Sequence, residues 1–411
     1  MLRSDRAFLG VGVIAALLVG GIGFAWIFQT YIPQARVSAS LEGCRKEVEG
    51  SLQIECIFRV IERELFSRGL PGAMNVFAKA YAKFPAFVSS GCHRQAHRVG
   101  DLAYYRLFFG SEDLERIDFT QDTTACGYGF YHGFLEHFTQ DYPNVQAVTD
   151  TCTYLEERLG KTMGDIRSIC YHGSGHGFTL AQSERVSRKD WGNVALFTAP
   201  PNELCDRLPL GNKDDIEQCK EGVFNVLVDW MVRNEYGFAY NAARPFAVCD
   251  RVPLGSRKAC IYEMAQKVDG LSNKDPRKVA EITGQIPEED LQTMAFGVAI
   301  AGFIQNSIAE EGGYQRVIDS CATLSAELYK KCMESVVHGL FEHGEPQKEY
   351  QEALKACAEP SVAEHTYTSD CYKSVAHRLP RFYSDQQILH ICGEFPAGSR
   401  NVCESGLSKR P

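Results

Sequence analysis

No cysteine stands before position 44 in this 411-residue chain, and no two of its 16 cysteines are spaced Cys-x-x-Cys. That absence removes the usual zinc ribbons, thioredoxin-like redox motifs and iron–sulfur spacings and, with no Cys-x-x-Cys-His, covalent haem attachment. Alternating strand patterns are scarce. No Gly-x-Ser-x-Gly elbow occurs, and Gly173, Gly175 and Gly177 neither follow a strand pattern nor precede Lys-Ser or Lys-Thr. Neither a serine-hydrolase elbow nor a phosphate-cradling loop is therefore encoded there. Positive charge is in deficit as well: 43 Lys and Arg face 52 Asp and Glu, for a net −9. Arg3, Arg6 and Arg36 against Asp5 put the first 40 residues at +2 and the remainder at −11, a charge that repels phosphate backbones and argues against a nucleic-acid partner. The absence of any Asn-x-Ser/Thr acceptor fits a bacterial or archaeal envelope better than a eukaryotic secretory surface.

What is present begins with 22 uncharged residues from Ala7 to Phe28, enough helix to cross about 30 Å of hydrocarbon. Arg3 and Arg6 before it, with Trp26 and Tyr31 near its far end, predict a signal anchor whose N-terminus is cytoplasmic. The expected organisation is a cytoplasmic segment 1–6, a transmembrane helix 7–28, a linker 29–43 and a periplasmic or extracellular body 44–411. A cleavable signal ending near Val37-Ser38-Ala39 is the competing reading, weakened by an apolar core that is too long and a site too far beyond it. Both readings export the same body, and an even number of cysteines confined to it favours disulfides.

The chain repeats itself. Cys205-Asp-Arg-Leu-Pro-Leu-Gly211 returns as Cys249-Asp-Arg-Val-Pro-Leu-Gly255 and, more loosely, as Cys392-Gly-Glu-Phe-Pro-Ala-Gly398. Each copy reads as a helix end, with Pro and Gly turning the chain. A second cysteine follows at a short interval, which predicts Cys205 with Cys219, Cys249 with Cys260 and Cys392 with Cys403. The same cadence gives Cys44 with Cys56, Cys152 with Cys170, Cys321 with Cys332 and Cys357 with Cys371, leaving Cys92 with Cys126. Pairing neighbours across a helical hairpin meets the short Cα separation a disulfide needs.

After the second cysteine comes a helical pattern, clearest in Cys126-Gly-Tyr-Gly-Phe-Tyr-His132-Gly-Phe-Leu-Glu136-His137 and Cys332-Met-Glu-Ser-Val-Val-His338-Gly-Leu-Phe-Glu342-His343. Small residues stand three and seven after Cys, His six, Glu ten and a second His eleven after. Partial copies follow Cys170, Cys371 and Cys219, the last with Asn225 and Asp229 in the His and Glu positions. At about 100° per residue these offsets share an arc of roughly 140° on one face. The fold expected is all-α: disulfide-stapled helical-hairpin repeats forming a curved solenoid or a closed α/α toroid, with 269–306 as a seam or insertion where the cadence breaks.

Histidine and glutamate on that face carry the candidate chemistry. His93 and His97, His172 and His176, His132 and Glu136, and His338 and Glu342 are all four apart, a spacing that lets two helical side chains converge on one ion. His132, Glu136, His172, His176, His338 and Glu342 are the leading candidates for ligands, followed by His93 and His97, then His137 and His343. Glu136 and Glu342 are the candidate acid–base groups. Such ligands suit a divalent transition metal, Zn, Fe, Mn or Cu, and a metal-dependent hydrolase or oxidoreductase is the leading function. The alternatives are that the repeated polar groups only pack the helices or that the body is a non-enzymatic scaffold binding a protein partner in the same membrane, a cofactor or a metal.

Overall fold

The computed structural model describes residues 37–407, apart from positions 48, 112, 161–164, 210–212 and 311. The expected anchor at 7–28 lies outside the described residues. Among those described there is no strand, and no helix is long and apolar enough to cross a membrane.

Eight helices line up in sequence order, each packed on the next: α1 Cys92–Ala103, α2 Gly129–Asp141, α3 Ile166–Ser183, α4 Lys213–Arg233, α5 Leu254–Ala265, α6 Glu289–Ser307, α7 Ala326–His343 and α8 Thr368–Phe382. Shorter helices such as Val145–Leu159, Val194–Asp206 and Gly313–Cys321 lie between them in the chain and pack beside them. The small residues of the repeat explain the close packing. A Cβ on Gly133 would fall 2.1 Å from the His97 carbonyl, one on Gly175 2.0 Å from the Cys219 carbonyl, and one on Gly222 2.0 Å from the His172 carbonyl. Neighbouring backbones therefore touch, offsetting the roughly 1 kcal/mol that each helical glycine costs.

All eight disulfides join the pairs that the cadence names, with Cα–Cα separations of 5.5 to 5.8 Å, and no cysteine is free. Cys205, Cys321 and Cys357 tie the last turn of a shorter helix to the first turns of the next long one, and Cys392 ties the end of Asp385–Cys392 to the short helix Arg400–Leu407. Three depart from the helix-end expectation. Cys152 sits within Val145–Leu159, Cys92 opens α1, and Cys249 lies on a single 3-10 turn because the stretch before it is irregular. Closing loops of 11 to 18 residues contributes about 3 kcal/mol per bridge in the chain-entropy account. Such bridges form and persist outside the cytoplasm.

Residues 269–306 keep the hairpin rhythm without a disulfide: Pro276–Thr283 leads into α6, which packs between α5 and α7. The long helix Gly50–Lys83 bends at Gly69 (φ 66°), just before Pro71, and packs on α1. Its end meets the far end of the chain, where the Tyr81 hydroxyl donates to the His343 carbonyl at 2.6 Å. The Tyr128 hydroxyl donates to the Arg381 carbonyl at 3.0 Å, the Tyr128 ring stacks on Phe382, and Arg381 pairs with Asp165 at 3.2 Å. The array thus closes on itself as a ring, and repeats far apart in sequence share one hub.

Candidate metal centre

Glycine contacts hold α1, α2 and α3 so close that four imidazoles meet ring against ring around His132, which stacks on His172, meets His93 edge-on and lies tilted against His176. His93 lies in the first turn of α1, His132 on α2, and His172 and His176 one turn apart on α3. Ring centroids are 4.7 Å apart for His93–His132 and for His132–His172, 5.0 Å for His132–His176 and 5.1 Å for His172–His176. Burial pushes His93 down to about 3, helped by His97 and His343 nearby, and burial with His172 alongside holds His132 well below the ordinary imidazole value. His172 is likewise held low by burial, then by His176. These three rings are neutral at physiological pH.

Neutrality fixes the tautomers. His93 Nδ1 is 3.0 Å from the Cys126 carbonyl, which only accepts, so Nδ1 carries the proton. His93 Nε2 must then accept, and His132 Nδ1 at 3.0 Å donates to it. That leaves the lone pair of His132 on Nε2. On α3, His176 Nδ1 lies 3.3 Å from Glu136 Oε2, a carboxylate oxygen that accepts, while His176 Nε2 is buried without a hydrogen-bond partner. His172 Nε2 is buried and unpartnered too. One nitrogen from each of His132, His172 and His176 falls within 4.8 Å of the others.

Behind this group lies a charged clamp. Glu136 Oε2 also accepts from His97 Nε2 at 3.2 Å, and His97 Nδ1 is 3.3 Å from Asp101, which His137 approaches at 3.4 Å. Burial opposes the charge on His97, but hydrogen bonds to Asp101 and Glu136 outweigh it and lift the ring to about 10. Burial likewise opposes the charge on Glu136, and bonds from His176 and His97 hold it well below the usual carboxylate range. His97, Glu136 and His176 form a second group with metal-ligand spacing.

A third such group joins His172 to Glu221 on α4 and Glu263 on α5. Neither glutamate is among the candidates that the repeat pattern supplies. Burial, then the neighbouring Glu217, pushes Glu221 up to about 8, while burial and Glu221 raise Glu263 well above the carboxylate range. A positional signal for part of this exists: Tyr128, His172, Glu221 and Tyr262 each stand two residues after the second cysteine of a pair. Tyr262 is raised by burial and then by Glu221, Glu263 and Glu342, carboxylates of three different helices.

No family model, curated protein or solved structure matches this chain.

His338 and Glu342 do not join the imidazole cluster. His338 Nε2 bonds Glu342 Oε1 within α7 at 3.2 Å, and burial together with Arg378 pushes His338 down to about 4. Burial opposes the Glu342 charge, but His338 and Arg381 hold it well below the carboxylate range. Gly127 (φ 62°) packs against this carboxylate: a Cβ there would lie 2.9 Å from Glu342 Oε2 and 3.4 Å from His93 Nδ1. Arg378 and Arg381 stand seven and ten after Cys371, where other copies place a small residue and a glutamate. His343 offers its carbonyl to Tyr81, and burial lowers its ring to about 4.

Proposed function

We propose that this is an extracytoplasmic metalloprotein that holds a divalent transition-metal ion through His132, His172 and His176, with residues 7–28 as its membrane anchor. The observation that carries the reading is the pair of buried, unpartnered nitrogens, His172 Nε2 and His176 Nε2, in a group whose third member, His132, keeps its lone pair on Nε2. A histidine kept only for packing would have its buried nitrogens hydrogen-bonded, since leaving one unpaired costs about 1–3 kcal/mol. The outer contacts suit ligation as well: metal-bound histidines usually give their other N–H to a carboxylate or carbonyl. Glu136 serves His176 in that way, and His93, held by the Cys126 carbonyl, serves His132.

Three imidazoles leave one position of a tetrahedral ion for water or substrate, the arrangement found in catalytic rather than purely structural sites. Bound there, the ion would polarise that ligand, which favours a metal-dependent enzyme over a scaffold. In this reading Glu136 orients His176, His97 and Asp101 brace Glu136, and Glu342 lies outside the ligand set. The test is metal reconstitution of the oxidised, metal-stripped full chain with Co(II), Zn(II), Fe(II), Mn(II) or Cu(II). At least one tightly held ion per chain is expected, with a visible Co(II) spectrum that His132→Ala and His176→Ala remove. A chain that takes up none of these ions would sink the proposal.

A further inference from the structure

We infer that the hub holds a second divalent cation beside the first, on the carboxylates of Glu221 and Glu263, with His172 between the two ions as an imidazolate. That ring gives one nitrogen to each ion and releases its N–H proton to solvent when the second ion loads. The inference rests on the histidine centre only through the shared His172; the two glutamates belong to this site alone. Ligand atoms of His172, Glu221 and Glu263 lie within 4.8 Å of one another, and all three side chains are buried, at 8%, 3% and 1% exposure. Two carboxylates this close and this deep cannot both stay charged without a cation, because mutual repulsion adds to the cost of removing each from water. Among the described residues neither glutamate has a salt-bridge partner. Their hydrogen bonds come from neutral amides: Gln218 to Glu221 at 2.6 Å, and Asn225 and Gln266 to Glu263 at 2.6 and 3.0 Å.

Those amides point the same way. Asn225 and Gln266 both donate to Glu263 Oε2 and orient the group, while Glu263 Oε1 is buried with no partner. His172 Nε2 is the other unpartnered buried atom of the trio. One imidazole and two braced carboxylates make a harder ligand set than the three-histidine group, suited to Mn(II), Fe(II) or Zn(II). Asn225 gains a role here: it stands where His132 and His338 stand in their repeats, and it holds a ligand instead of being one. A pair of ions so placed can bind and orient a substrate between them.

The bland competitor is a proton shared by the two acids, and ion counting separates the two. The oxidised full chain, stripped and dialysed against Mn(II) or Zn(II), should retain two ions. Glu221→Gln/Glu263→Gln should retain one and melt no lower than the wild type without metal, since neutral amides replace buried acids of the same shape. His132→Ala/His176→Ala should also retain one. Wild type with a single ion, kept unchanged by the glutamine pair, would overturn this site and leave the histidine centre standing. A single ion lost with the glutamine pair but kept without His132 and His176 would uphold this site and overturn the histidine centre. No ion in any form would overturn both.

Discussion

The segments Cys126–His137 and Cys332–His343 match at every position that carries chemistry, and the folded ring puts them to different uses. In the first, Glu136 ignores His132 one turn before it and accepts instead from His97 and His176 on the two flanking helices. His132 meanwhile lies among three other imidazoles. In the second, Glu342 accepts from His338 of its own helix and answers to arginines of α8. A His-x-x-x-Glu repeat on a helix thus specifies a face, and the neighbouring helices specify the chemistry. Where those neighbours bring imidazoles the face can collect a metal ion; where they bring guanidinium groups it becomes a joint whose carboxylate is held charged by the arginines nearby.

The comparison breaks most sharply at the histidines. With the ion held as proposed, His338→Ala should keep the full metal content that His132→Ala loses, because His338 bonds only Glu342. Metal analysis of the two variants side by side gives the answer. Equal loss in both would mean that the two copies form one site after all.

The glutamates come next. Glu136→Gln keeps the size of the side chain but removes the negative charge on the oxygen to which His97 and His176 both donate, so metal affinity should fall about 10- to 100-fold. Glu342→Gln should leave metal affinity unchanged and lower stability by about 2 kcal/mol, the order expected for a hydrogen bond to a charged group. The pH dependence has a definite sign. Glu342 is held below its unfolded value, about 4.3, so its contribution is complete above that value and is lost as pH falls through the folded one. Acid unfolding of the wild type should therefore steepen below about pH 4.5, and the Glu342→Gln curve should be flatter there. Parallel curves would show that the carboxylate does not act at the joint.

How far the sequence reveals this depends on whether a feature is local. The disulfide partners are neighbours across single hairpins, so their spacing alone names them. His132 and His176 are legible because the repeat offset places each on the small-residue face, and His172 because it stands four residues before His176. Glu221 and Glu263 are not, since a buried acid pair needs α4 and α5 to meet, and no periodicity of one helix encodes that meeting. Arg378 and Arg381 are hidden for a related reason: they occupy repeat positions with the opposite charge, and their partner Glu342 stands on the preceding long helix. The equivalence of His338 with His132 misleads because it is real along the helix and absent around it.

The smallest expected effect tests the joint from its other side. His343 ends α7, where the last carbonyls have no partner within the helix, and the Tyr81 hydroxyl reaches across 262 positions of sequence to satisfy one of them. Tyr81→Phe keeps the ring that packs there and removes only the donor, leaving a partly buried carbonyl at a cost of about 1 kcal/mol. The melting temperature of the oxidised protein should drop by a few degrees while metal content stays at the wild-type level, since Tyr81 touches no imidazole of the cluster. The matching change at the other contact, Tyr128→Phe, lies two residues after Cys126 and within the hub. It should cost a similar amount of stability and also disturb the centre through the turn that carries the Cys126 carbonyl. If the two variants behave alike in metal binding, the closure and the centre are one mechanical unit; if only Tyr128→Phe loosens the ion, the joint near Glu342 is structural and the centre belongs to α1, α2 and α3.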